Sequence, residues 1–82
     1  MVIAFVLVTT AAGKEREVFE DIGKVPGVKD VHPLFGEYDI IIKVEAASHE
    51  DIGNVVVDFI RNIPGVLDTK TLMRINEQFG NK

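Results

Sequence analysis

The chain has 82 residues, a formal net charge of −4, 46% hydrophobic and 27% charged residues, and no cysteine. That is a single small domain of globular balance, and it excludes a disulfide framework, a thiolate metal site and a Cys nucleophile. Lys and Arg are scattered and never clustered, so the phosphate-neutralising patch that direct nucleic-acid binding needs is missing.

The N-terminal stretch "MVIAFVLVTT" has no basic segment before it, and its apolar run ends at Val8. It is neither a signal peptide nor a membrane span. With the absence of cysteine this fits a cytoplasmic protein with no membrane partner. Val2 to Thr9 reads instead as strand β1, rich in β-branched residues. Val2, Ala4, Val6 and Val8 fall on one face, Ile3, Phe5 and Leu7 on the other. A strand apolar on both faces is expected at the centre of a sheet, covered on both sides.

Gly13 breaks the pattern. Val18, Ile22 and Val25 then recur at helical spacing with Phe19 beside them, among Lys14, Glu15, Arg16, Glu17, Glu20, Asp21 and Lys24. This predicts an amphipathic helix, α1, ended by Pro26-Gly27. Val28 to Phe35 reads as β2, placed at an edge by Pro33, which cannot donate to a ladder. Gly36 turns the chain, and Tyr38 to Glu45 reads as β3. Ser48 offers an N-cap with Asp51 three residues on. Ile52, Val55, Val56, Phe59, Ile60 and Ile63 form the apolar stripe of α2. Pro64-Gly65 ends it, and Val66 to Ile75 reads as β4. The domain spans 1–76, and 77–82 is a polar tail.

"VPGVKD" at Val25 to Asp30 and "IPGVLD" at Ile63 to Asp68 repeat one corner, with prolines 38 residues apart. Each half is strand, helix, then Pro-Gly-Val into a further strand. The order β-α-β-β-α-β predicts a ferredoxin-like α+β domain, a four-stranded antiparallel sheet with two helices on one face. The other face is left bare. β1 is apolar there, and β3 adds either Ile41 or the set Ile40, Ile42 and Val44. A second copy stacked sheet to sheet about a two-fold axis is the simplest cover. A domain this small buries only ~60% of its unfolded surface, which points the same way.

Few residues carry chemistry of their own. His32 and His49 have no co-ligands at metal-binding spacing, so no metal is expected. Ser48 is a cap rather than a nucleophile, and Gly13-Lys14 lacks the spacing of a phosphate loop, so no cofactor is expected either. No carboxylate pair is marked out for acid–base work. Thr69 and Thr71, two apart on β4, point the same way, as a polar stripe or as the lining of a small pocket. A hairpin corner explains Gly36 but leaves Tyr38 and Asp39 without a reason.

"VPGVKDVHPLFGEYDIIIKVEA", an amphipathic helix and "IPGVLDTKTLMR" together resemble the ligand-sensing C-terminal (RAM) domain of the Lrp/AsnC transcription regulators. The resemblance covers β1 through β4 and is carried by Gly36, Tyr38 and Asp39, and by Gly65-Val66 followed by Thr69 and Thr71. It implies dimerisation through the sheets and assembly into octamers or similar rings. It also implies binding of a free amino acid at the seam between dimers, without catalysis. By position the ligand residues are Gly36, Glu37, Tyr38, Asp39, Thr69 and Thr71. Backbone N–H groups at Gly36 suit a carboxylate, Asp39 an ammonium, and the threonines adaptable hydrogen bonds. Family members place a helix-turn-helix domain ahead of this one, whereas β1 here begins at Val2. The expectation is therefore a stand-alone sensor that joins full-length regulators rather than DNA. Two readings compete with it. An ACT-type domain would bind its amino acid near Thr9 to Gly13, and a small dimeric ferredoxin-like barrel enzyme would use His32 or His49.

Overall fold

The computed structural model describes residues 1–75. The tail expected over 77–82 lies outside them. β1 (Val2–Thr10) is followed by α1 (Glu15–Ile22), β2 (Val28–Pro33), β3 (Ile40–Ala46), α2 (His49–Val55) with a π-helical continuation over Val56–Ile60, and β4 (Val66–Met73). The strands form one antiparallel sheet in the order β2-β3-β1-β4. This is the ferredoxin-like α+β arrangement that the element order predicts.

β1 lies between β3 and β4 and divides its side chains by parity. Ala4, Val6 and Val8 are fully buried and pair with Val44, Ile42 and Ile40 of β3. Val18 and Ile22 of α1, Ile52 of α2, and Val56 and Ile60 of its continuation close over them. Each such side chain contributes roughly 1.5–3 kcal/mol relative to exposure. The bare face carries Ile3, Phe5 and Leu7, and β3 adds Ile41 there, so of the two sets open from the sequence the helices take Ile40, Ile42 and Val44. Lys43 and Glu45 share the bare face and approach to 3.8 Å. Strand alternation alone hides this mixture, because it fixes which residues share a face and not which face is covered.

The helices differ from the sequence reading in two places. α1 stops at Ile22 and not at Pro26. Val25 still reaches the core, held by a turn in which its N–H donates to the Ile22 carbonyl at 3.0 Å. In the second helix the Arg61 N–H donates to the Val56 carbonyl at 2.8 Å, an i→i+5 bond. That extra residue in the turn rotates the following side chains. Phe59, expected in the core stripe, is 46% exposed as a result. Ser48 caps α2 as expected, its Oγ accepting from the Asp51 N–H at 3.1 Å.

The repeated corners are two copies of one turn. The Val28 N–H donates to the Val25 carbonyl at 3.2 Å, and the Val66 N–H to the Ile63 carbonyl at 3.1 Å. Gly27 and Gly65 have φ of 92° and 100°. Proline at the second position and a positive-φ glycine at the third are the requirements of a type II turn. A Cβ on Gly65 would lie 2.9 Å from both Lys14 Cβ and Val18 Cγ2, so this corner also sets how closely α1 packs. Gly13 has φ 85° but open space around it. Gly13→Ala is expected to cost about 1–2 kcal/mol of backbone strain alone, and Gly65→Ala distinctly more because of the added clash. In a domain this small each kcal/mol lowers Tm by roughly 4–8 °C, which thermal unfolding of the two variants reads directly.

Candidate functional site

β2 ends at Pro33, and β3 begins only at Ile40. Tyr38 and Asp39, expected to open β3, therefore lie in the connecting loop. The loop tip is exposed: Leu34, Phe35, Gly36 and Glu37 face solvent, Phe35 completely. Gly36 has φ 147° with open space around its Cα, so its glycine is explained by backbone conformation and not by crowding.

Asp39 is where this loop is fastened. Its N–H donates to the Val8 carbonyl at 2.9 Å, and its own carbonyl accepts from the Leu34 N–H at 2.8 Å. Its carboxylate Oδ2 accepts from the Thr10 N–H at 2.8 Å and from the Thr10 hydroxyl at 3.3 Å. Thr10 is the one polar residue in the buried set among the described residues. A charged acceptor on a buried backbone N–H is a strong bond, and it ties the loop to the end of β1. Sequence reasoning passed over Thr10. Its place at the end of an apolar strand looks like ordinary strand chemistry, and the bond to Asp39 spans 29 residues.

The site residues share one end of the sheet without forming one cluster. Val8 pairs with Ile40 on one side and Thr69 on the other, so Thr69 lies two strand spacings, about 10 Å, from the start of β3. Thr71 lies across from Val6, further along. Both threonines are half-buried on the helix-covered face, and Tyr38 and Asp39 are half-buried in the loop. Gly36 and Glu37 stand apart at the exposed tip. The start of β4 is fixed to the end of β1 by the Ala11 N–H on the Gly65 carbonyl at 2.8 Å and by the Thr9 hydroxyl on the Asp68 carbonyl at 3.5 Å.

The two histidines lie elsewhere. His49 is exposed in the first turn of α2. His32 is exposed on the bare sheet face, beside a shallow depression of about 90 Å³ that it lines with Phe5, Asp30, Ile41 and Lys43. Among the described residues no three His, Cys, Asp or Glu side chains are grouped to hold a metal ion. No helix among them is long and apolar enough to cross a membrane.

A small βαββαβ domain with a Gly-x-Tyr-Asp loop pinned to β1 matches the model of the Lrp/AsnC ligand binding domain over residues 3–79. The chain belongs to this family. An uncharacterized HTH-type transcriptional regulator of Pyrococcus furiosus is 46% identical over 59 residues, 72% of this chain and 39% of the regulator. The chain thus matches less than half the length of that relative. The crystal structure of FFRP-DM1 has a TM-score of 0.86 and 44% identity, covering 92% of this chain and all of that one. The crystal structure of the Neisseria meningitidis transcriptional regulator NMB0573 in complex with L-Met has a TM-score of 0.81 and 26% identity, covering 94% of this chain and 51% of the regulator.

Asp39→Ala is expected to cost roughly 1–3 kcal/mol, because it leaves the Thr10 N–H buried without its acceptor. Thr10→Val, which removes only the 3.3 Å hydroxyl bond, is expected to cost less. Urea unfolding of both variants checks the order.

Proposed function

We propose that the chain is an amino-acid-responsive regulatory module of the Lrp/AsnC type, without catalysis of its own and without direct contact to DNA. It works in the cytoplasm as a single domain over 1–76. It assembles first as a homodimer, sheet to sheet, and then as a ring, and the effector sits at the seam between dimers. Its further partners are full-length regulators of the same family, whose ligand-binding domains it resembles closely enough to join.

The observation that carries this reading is the Asp39–Thr10 link. It holds an otherwise exposed loop, with Gly36, Glu37 and Tyr38 on it, at the end of the sheet where β4, which carries Thr69 and Thr71, begins. A free amino acid needs N–H donors for its carboxylate and an anionic acceptor for its ammonium. Backbone groups around Gly36 serve the first. Asp39 serves the second through Oδ1, since Oδ2 is engaged by Thr10. Thr69 and Thr71 add hydroxyls of either polarity. A neighbouring subunit completes the pocket, because the loop tip of a single chain faces solvent. The complex of the Neisseria regulator with L-Met supports an amino acid as the ligand class.

The bare face supports the dimer. Ile3, Phe5, Leu7 and Ile41 form its apolar part, and the Lys43–Glu45 pair lies beside them on β3, across from Phe5 and Ile3. An occupied inter-dimer site would favour the ring by mass action.

Calorimetry against the twenty amino acids is expected to find binding by a small subset. Thr69→Val and Thr71→Val should each weaken it by about tenfold, the worth of one hydrogen bond to a charged group. Gly13→Val, at the place an ACT-type domain would use, should leave affinity unchanged. No binding by the wild type, or loss confined to Gly13→Val, would reject the reading. Ile41→Glu puts a charge into the apolar part of the bare face, and sedimentation should then find the face-to-face dimer lost.

A further inference from the structure

The two edges of the sheet are built differently. β2 carries Pro33 and has a register break at Lys29, both of which discourage further pairing. β4 runs for eight residues without proline, and no strand lies beyond it among the described residues. Leu67 and Leu72 on it are 69% and 48% exposed.

Which backbone groups point outward follows from one bond. The Arg74 N–H donates to the Ile3 carbonyl at 2.9 Å, and alternate residues of a strand present N–H and C=O to opposite edges. Asp68, Lys70 and Leu72 therefore turn theirs toward β1, and Thr69, Thr71 and Met73 turn theirs outward. The Thr69 N–H accordingly has a local acceptor, Oδ1 of Asp68, at 2.9 Å. The side chains of Asp68 and Lys70, across from Thr9 and Leu7, lie on the bare face and are exposed.

We propose that β4 pairs antiparallel with β4 of a second copy of this chain, across a two-fold axis through Thr69. An axis normal to the sheet keeps both faces, so residues of equal parity oppose each other. Thr69 then meets its own counterpart, and Asp68 of each copy meets Lys70 of the other. Thr69 is an outward-bonding residue, so its pair exchanges N–H···O bonds and Asp68 is released from the Thr69 N–H. The two Asp68–Lys70 pairs fall at non-hydrogen-bonded positions, where Cα atoms are ~4.5 Å apart and side chains closest. Moving the axis by one residue sets Lys70 against Lys70 or Asp68 against Asp68, and directly opposed like charges destabilise a sheet. Moving it to Thr71 sets Lys70 against Leu72 and leaves Asp68 facing Arg74, which lies just beyond the end of the strand. The charge pattern of this edge is complementary to itself in the register through Thr69.

The product is a continuous eight-stranded sheet with all four helices on one side and both bare faces on the other. It therefore coexists with sheet-to-sheet stacking. The half-buried Thr69 and Thr71 of both copies line the new seam on the helix side. The contact does not rest on the amino-acid reading.

The chain has no cysteine, so single cysteines report the register without background. Under mild oxidation Thr69→Cys is expected to cross-link to a covalent dimer, its Cα atoms being within disulfide reach. Cross-linking should be lost in Thr71→Cys, which opposes Leu67, and in Lys70→Cys. Independently, Asp68→Lys and Lys70→Asp should each lose this level of association in sedimentation. An equimolar mixture of the two should regain it, because each supplies the charges the other lacks. Measuring the charge variants on the Ile41→Glu background separates the edge from the face. Cross-linking no stronger at Thr69→Cys than at Thr71→Cys, or no recovery on mixing, would overturn the proposal. Effector binding, read by calorimetry, would stand or fall separately.

Discussion

The structure depends on β1 being apolar on both faces while one face only is covered. Ala4, Val6 and Val8 lie under two helices with no exposure, and Ile3, Phe5 and Leu7 lie on the opposite face, which none of the described helices covers. A central strand of this kind is stable only where both sides are shielded from water. The helices satisfy one side within the chain. The other side is left open by the described residues.

The end of β1 has a second task. Thr10 is buried at the point where the strand leaves the sheet, and its N–H must find an acceptor. Asp39 supplies it from the far side of the β2–β3 connection. One carboxylate thus satisfies a buried donor and fixes the origin of an exposed loop. Gly36, Glu37 and Tyr38 inherit their position from that bond. The residue that looked most like a ligand contact is first a structural tie, made through Oδ2.

The sheet edges show a comparable division. Proline and a register break close β2, while β4 stays long and regular beyond its own bulge near Leu67. Asp68 and Lys70 on β4 are two residues apart, opposite in sign and exposed. Face, loop and edge are three surfaces set by one strand order.

Much of this was legible in the residues. Two Pro-Gly-Val corners, each with a positive-φ glycine, set the duplicated βαβ plan. Hydrophobic periods set the elements, and the spacing of Gly36, Tyr38 and Asp39 marked the family. Pattern does this well because turn chemistry and alternation are local. Strand parity said which residues of β3 share a face, but only packing chose Ile40, Ile42 and Val44 for the helices. The i→i+5 turn that lifts Phe59 out of the core leaves no mark in a helical stripe. The Thr10–Asp39 bond joins residues 29 apart, and such pairing depends on where strands end in space. Local pattern is enough for the elements and their order; which surface of each one water still reaches comes from packing, because burial belongs to the assembled layers and not to any segment alone.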